Sequence, residues 1–139
     1  MKILIIEDEP DIISFAKKGL EAEMCTVVCA TTGREGIARA RGEPFDAVVL
    51  DFHLPDMRGD AISALIRAHD PSIPILVLSA ERDMDVKINM LAMCDDYMTK
   101  PFSLRELVVR LRALARRGEV LHGDVLTAGE LILNSHNHT

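Results

Sequence analysis

Three runs of apolar residues in this chain stop abruptly at polar ones, and a fourth stretch ends the same way. Ile3-Leu4-Ile5-Ile6 stops at Glu7 and Asp8, Ala47-Val48-Val49-Leu50 at Asp51, and Ile75-Leu76-Val77-Leu78 at Ser79. Tyr97-Met98-Thr99 closes on Lys100, which stands before Pro101. Short apolar runs bounded by turn signals read as strands buried on both faces of a parallel sheet. Such a sheet must be covered by helices on both sides, and helix-like stretches do alternate with the strand-like ones. The pattern predicts strands near 2–6, 26–30, 46–50, 74–78 and 95–99, with helices near 11–22, 34–41, 58–69, 83–92 and 103–117. Ligands of open parallel sheets bind just outside the carboxyl ends of the strands. Glu7, Asp8, Asp51, Ser79 and Lys100 are therefore expected to converge on one site.

The helical stretches carry local signatures of their own. Leu104, Leu107, Val108, Leu111, Leu114 and Ala115 recur at the spacing of a single buried helix face. Ser103 is placed as the N-cap of that helix, with Glu106 as its capping-box partner. Pro10 stands near the start of the first helix, whose apolar side is Ile12, Ile13, Ala16 and Leu20. Cys25 and Cys29 share one face of a strand with Val27, which points to core packing rather than redox chemistry. After Arg116-Arg117-Gly118 the composition changes: three histidines appear and Lys and Arg vanish. The expected division is a domain over 1–117 and a tail over 118–139. In that tail Glu130-Leu131-Ile132-Leu133-Asn134 could form a lone strand, which cannot bury itself.

Bulk properties narrow the class. With 139 residues, 48% of them hydrophobic and 27% charged, the chain can bury one ordinary core. A net charge of -6 argues against nucleic-acid binding through a basic face. An odd count of three cysteines fits free thiols in a reducing cytosol, so a cytoplasmic location is expected. The apolar residues before Glu7 are too few for a signal peptide or a membrane span, and no membrane partner is expected.

The five converging side chains define a chemistry. Three carboxylates crowded in one cleft repel one another unless a cation joins them. All the donors are hard oxygens, so Mg²⁺ or Mn²⁺ suits the cluster better than zinc. The Ser79 hydroxyl and the Lys100 ammonium suit phosphoryl oxygens. Together they fit in-line phosphoryl transfer to an aspartate.

The order and spacing of these motifs resemble the receiver domain of bacterial two-component response regulators. The matching stretches are Ile-Leu-Ile-Ile-Glu-Asp-Glu-Pro at 3–10, Asp-Ala-Val-Val-Leu-Asp-Phe-His-Leu-Pro-Asp-Met-Arg-Gly at 46–59, Ile-Leu-Val-Leu-Ser-Ala at 75–80 and Asp-Asp-Tyr-Met-Thr-Lys-Pro-Phe at 95–102. The resemblance implies an α/β (βα)5 doubly wound fold, like flavodoxin, with strand order 2-1-3-4-5. It implies that Asp51 accepts a phosphoryl group from a phosphohistidine of a sensor histidine kinase. Asp8 would bind the metal directly, Glu7 through water, and the backbone carbonyl of His53 would be a further ligand. Ser79 and Lys100 would hold the phosphoryl oxygens, and Lys100–Pro101 would be a cis peptide. Tyr97 would be an aromatic switch that turns inward when Ser79 moves. A homodimer face would pair Asp96 with Arg110 and Lys87 with Glu106 across two copies, forming weakly until activation. The tail is similar to the entry into the winged-helix DNA-binding domain of the OmpR/PhoB class, so DNA control would lie in a portion beyond this chain.

The chain departs from the family pattern in places. Met93-Cys94 stand where Gly-Ala is common, and Ser79 replaces the commoner Thr. His53 and Glu81 occupy positions that tune phosphoryl lifetime in the family. Rival readings make specific demands. A flavin binder needs a Ser/Thr/Gly-rich loop after the first strand, where Glu7-Asp8-Glu9 stand instead. A haloacid-dehalogenase-type phosphatase needs a second Asp two residues after the nucleophile, where His53 stands. A phosphorylation-independent interaction module would not need the acidic cluster. No turnover of an outside substrate is expected.

Overall fold

The alternation that matters is inside the apolar runs themselves. The computed structural model describes residues 1–80 and 94–122, with side chains through Arg116. Its strands are β1 (Lys2–Ile6), β2 (Thr26–Ala30), β3 (Ala47–Asp51), β4 (Ile75–Ser79) and β5 (Asp96–Thr99). Its helices are α1 (Pro10–Ala22), α2 (Gly33–Gly42), α3 (Gly59–His69) and α4 (Leu104–His122). The strands form one parallel sheet in the order β2-β1-β3-β4-β5. Successive side chains of a strand point to opposite faces. Leu4, Ile6, Val48, Leu50, Ile75 and Val77 therefore meet Ile37 of α2 and Ile62 and Ile66 of α3 on one side. Ile3, Ile5, Val49, Leu76 and Leu78 meet Ala16 and Leu20 of α1 and Leu107, Leu111 and Leu114 of α4 on the other. Cys25, Val27 and Cys29 all belong to this second side, as their spacing implies.

Two close approaches set the helix positions. A Cβ on Gly36 would lie 2.4 Å from Ile6 Cδ1, so α2 rides directly on the strand that ends at Glu7. A Cβ on Gly19 would lie 2.0 Å from the Leu104 side chain, so α1 and α4 touch backbone to side chain. Arg112 of α4 also reaches Glu23, beyond α1, at 2.9 Å. α1 ends through Met24, which takes the left-handed conformation at φ 69° and is 88% exposed. A β-carbon makes that conformation unfavourable, and the local bonds Met24 N–H to Glu21 and Cys25 N–H to Leu20 hold it.

The structure extends some expectations and leaves others outside its description. Ser103 Oγ accepts the Glu106 N–H at 3.3 Å, the N-cap half of the expected capping box, while Glu106 Oε2 accepts from Arg110. α4 continues to His122, past the expected end at 117, since a single glycine weakens a helix without breaking it. The helix expected near 83–92, with Lys87, and the strand expected near 130–134 fall outside the described residues, as do Glu81 and Met93. Among the described residues, no helix is long and apolar enough to cross a membrane.

Candidate phosphoryl-acceptor and metal site

The carboxyl ends of β1, β3, β4 and β5 lie side by side in the sheet, and the residues that terminate them gather there. Leu78 pairs with Asp51 and Thr99 with Ser79, and the Lys100 N–H reaches the Ser79 carbonyl at 2.8 Å. Glu7, Asp51 and Ser79 are buried, while Asp8 is exposed at the mouth. One carboxylate oxygen from each of Glu7, Asp8 and Asp51 lies within 4.8 Å of the others. Lys100 Nζ sits among these acids, 2.9 Å from Glu7 Oε1 and 3.3 Å from Asp51 Oδ1. It also stands 3.3 Å from Glu9 Oε1. The Lys100–Pro101 peptide is cis.

One ammonium faces more negative charge than it can balance. Burial pushes the Glu7 carboxyl above its usual range, and the nearby Asp51 charge adds to the rise against the opposing pull of Lys100. Burial raises Asp51 too, aided by Asp8 and again opposed by Lys100. Burial alone would lower the Lys100 ammonium, but its close contact with Glu7 and the charge of Asp51 outweigh that and hold it above its ordinary value. Glu7 Oε2 accepts the backbone N–H groups of Asp8 and Glu9, each at 3.1 Å. Among the described residues Glu7 Oε1 is buried without an aligned hydrogen bond; its contact with Lys100 at 2.9 Å is an ion pair. A buried oxygen left this way carries a desolvation cost. Crowded hard oxygens with one lone pair unanswered fit a small divalent cation and its bound water.

The match to known proteins decides the family. The family model "Response regulator receiver domain" matches residues 3–112. The chain belongs to this family. It is 39% identical over 140 residues to the probable transcriptional regulatory protein TcrX of Mycobacterium tuberculosis, covering 98% of this chain and 60% of that protein. It is 40% identical over 139 residues to the transcriptional regulatory protein TcrA of the same organism, covering 99% of this chain and 55% of that one. Its fold is similar to that of a CheY-like receiver domain protein from Methanospirillum hungatei, with a TM-score of 0.81 and 28% identity over 85% of this chain and 95% of that one. The chain thus spans little more than half the length of the curated relatives it matches.

Within this receiver the other expected residues fall as follows. His53 follows β3 on an exposed turn, its ring edge-on to Phe52 at 4.8 Å. The Tyr97 ring already lies inward, 9% exposed, on the α2–α3 side of the sheet, and its buried hydroxyl has no hydrogen-bond partner among the described residues. Asp96, Glu106 and Arg110 meet, but within one chain. Arg110 Nη1 stands 2.6 Å from Asp96 Oδ1, and its Nη2 stands 2.9 Å from Glu106 Oε2. The expected pairing of Asp96 with Arg110 across two copies thus has an intramolecular competitor.

Three contributors escaped the sequence reading. Glu9 joins the Lys100 cluster, signalled only by its place beside Glu7-Asp8. Asp95 accepts the Ile75 N–H at 2.7 Å and pairs with Arg67 of α3, tying the entry of β5 to β4 and α3. Asp56, in the turn after Leu54-Pro55, accepts the N–H groups of Gly33 and Arg34. Neither contact has a local sequence signal, since each joins segments far apart in the chain.

Proposed function

We propose that Asp51 accepts a phosphoryl group from a phosphohistidine of a sensor histidine kinase. The observation that carries this reading is the Asp51 carboxylate at the end of a central strand, within 4.8 Å of Glu7 and Asp8 oxygens and 3.3 Å from the Lys100 ammonium. An Asp51 carboxylate oxygen attacks phosphorus from the side opposite the imidazole nitrogen. The new P–O bond forms as the P–N bond breaks, and the departing imidazole takes up a proton. Lys100 answers the charge on the transferred oxygens, and the Ser79 hydroxyl donates to one of them. Mg²⁺, or Mn²⁺ in its place, would be held by Asp8, Asp51 and the His53 carbonyl, with Glu7 reached through water. When bound it neutralises the developing phosphoryl charge.

The phosphodonor would enter beside the site. A groove of about 530 Å³ lies there, lined by Glu9, Ile12, Phe15, Lys100, Pro101 and Phe102. Phe15 is 49% exposed and its ring lies 5.8 Å from that of Phe102. Phosphorylation would then bias Tyr97 and the Asp96–Glu106–Arg110 surface, with Lys87, toward a homodimer. A DNA-binding portion beyond this chain would read that change, in line with the names of its relatives as transcriptional regulators. The receiver would occupy 1–117, with the linker and the start of the output domain over 118–139.

Mass spectrometry after acetyl phosphate and Mg²⁺ tests the reading. One added phosphoryl group, absent in Asp51→Asn, is expected. No added mass, or a modification that persists in Asp51→Asn, overturns it.

A further inference from the structure

The turn that follows Asp51 is tied to the structure at both ends and in the middle. At its base the Gly59 N–H donates to the Phe52 carbonyl at 2.7 Å, and His53 bridges to Arg58. A Cβ on Gly59 would lie 2.9 Å from Phe52 Cα, so this closure needs glycine. Phe52 is itself held by its N–H to the Leu78 carbonyl at 3.0 Å. At the tip, Asp56 leaves the turn entirely and grips another helix. Its Oδ1 accepts the Gly33 N–H at 2.8 Å and its Oδ2 the Arg34 N–H at 3.0 Å.

That helix also has a cap of its own, apart from Asp56. Thr32 Oγ1 accepts the Glu35 N–H at 3.1 Å, and Glu35 Oε1 accepts the N–H of Thr31, one residue before the cap, at 3.0 Å. Asp56 satisfies two further donors of the first turn from a distant segment. The consequence is a closed circuit around the acidic cluster. Glu7 N–H donates to the Ala30 carbonyl at 2.9 Å. Ala30 leads through Thr31 and Thr32 into α2, whose first turn holds Asp56. Asp56 leads back through the turn to His53 and Asp51. The circuit joins the strand end bearing Glu7 and Asp8 to the turn bearing the His53 carbonyl.

We infer that Asp56 is a positioning residue for the divalent cation: by clamping the turn to α2, it holds the His53 backbone carbonyl at a fixed distance from Asp8 and Asp51. The inference rests on the metal assignment given under the proposed function. Groups that orient a metal's ligands typically change metal affinity by 10- to 100-fold when lost. A carbonyl on an untethered turn would have to be ordered by the metal itself, which weakens binding without removing any ligand.

The test is Mg²⁺ affinity by calorimetric titration, with Mn²⁺ binding followed by electron paramagnetic resonance, on the full chain. Asp56→Ala is expected to weaken both by about tenfold. Asp56→Asn keeps one acceptor and the shape of the side chain, so an intermediate loss is expected, and this conservative variant serves if Asp56→Ala does not fold. Thr32→Ala weakens the α2 cap without touching the turn; it should lower the melting temperature and leave metal affinity within twofold. Unchanged affinity in the folded Asp56 variants overturns the inference, as does an equal loss in Thr32→Ala, which would make α2 stability the cause. If the unsubstituted chain binds neither ion, the metal assignment itself falls, and the inference with it.

Discussion

Two groups of acids sit at the same end of the sheet and behave in opposite ways. Glu7 and Asp51 are buried, crowded and held above their usual carboxyl range. Asp56 lies on the surface a short way along the same chain segment, and two backbone N–H groups at a helix start hold it below that range. The pair Glu7 and Asp51 costs the fold free energy when ionised, and the single carboxylate of Asp56 stabilises it. All three are carboxylates, so the difference lies in what each oxygen faces. The costly pair is where a cation and a phosphoryl group would be bound, and the satisfied one is scaffold for it. Buried carboxyls whose charged form is disfavoured mark functional sites for this reason.

The contrast can be broken most forcefully at Lys100. Lys100→Met leaves Glu7 and Asp51 without their shared counter-charge. Losing one partner of a buried ionic group costs on the order of 3 kcal/mol, so a lower melting temperature at pH 7 in EDTA is expected, with loss of acetyl phosphate labelling. Because both carboxyls titrate above their ordinary 4.5 and 3.8, the folded chain takes up protons before the unfolded one. The deficit should therefore shrink as the pH falls from 7 into the raised range of these two carboxyls. A deficit independent of pH would show that Lys100 acts through packing instead.

Asp51→Asn removes one of the mutually repelling charges. In the absence of divalent cation it should stabilise the fold by about 1 kcal/mol at pH 7, with a smaller gain as the pH falls into the raised range where protonation relieves the parent. Mg²⁺ should raise the melting temperature of the parent and do little for this variant. Thermal melts across that pH range, with and without Mg²⁺, measure both effects. A destabilised Asp51→Asn would contradict the view of the site as strained.

Asp56→Ala should run the other way, costing about 1 kcal/mol, the usual worth of a lost helix-capping acceptor. A carboxyl with a lowered folded pKa stabilises above its ordinary 3.8 and loses that contribution as the pH falls through the lower folded value. The cost should therefore be flat from pH 7 to 5 and fade only in stronger acid, opposite in shape to Asp51→Asn. Denaturant titrations at several pH values distinguish the two profiles.

The smallest stability effect belongs to Arg110. Its pairs with Asp96 and Glu106 lie on the surface, and exposed pairs are worth about 0–1 kcal/mol. Arg110→Glu should barely move the melting temperature, yet it should abolish any dimer seen by light scattering with beryllofluoride present. A dimer indifferent to the change would place the interface elsewhere.

Much of this molecule was legible without coordinates, and particular residues show why. The strand ends at Glu7, Asp51, Ser79 and Lys100 could be read because an abrupt switch from apolar to polar marks where a buried strand emerges. The Ser103 cap could be read because capping is a contact across three positions. Glu9 was missed because its role depends on Lys100, 91 positions away. The inward Tyr97 ring and its orphaned hydroxyl could not be read either, since a tyrosine in a strand suits a core or a surface equally well.

The amino-acid sequence by itself determined the five strands and the polar residues at their ends, and with its family motifs the strand order, because burial on both faces of a sheet writes a local, periodic pattern. Only the tertiary structure decided which distant groups share a proton or a hydrogen bond. Asp56 capping a helix that begins 23 positions earlier, Arg67 joining Asp95, and Arg110 turning to Asp96 of its own chain all depend on how finished elements dock. Docking geometry is set by side-chain packing across the whole sheet, and no local window of sequence contains it.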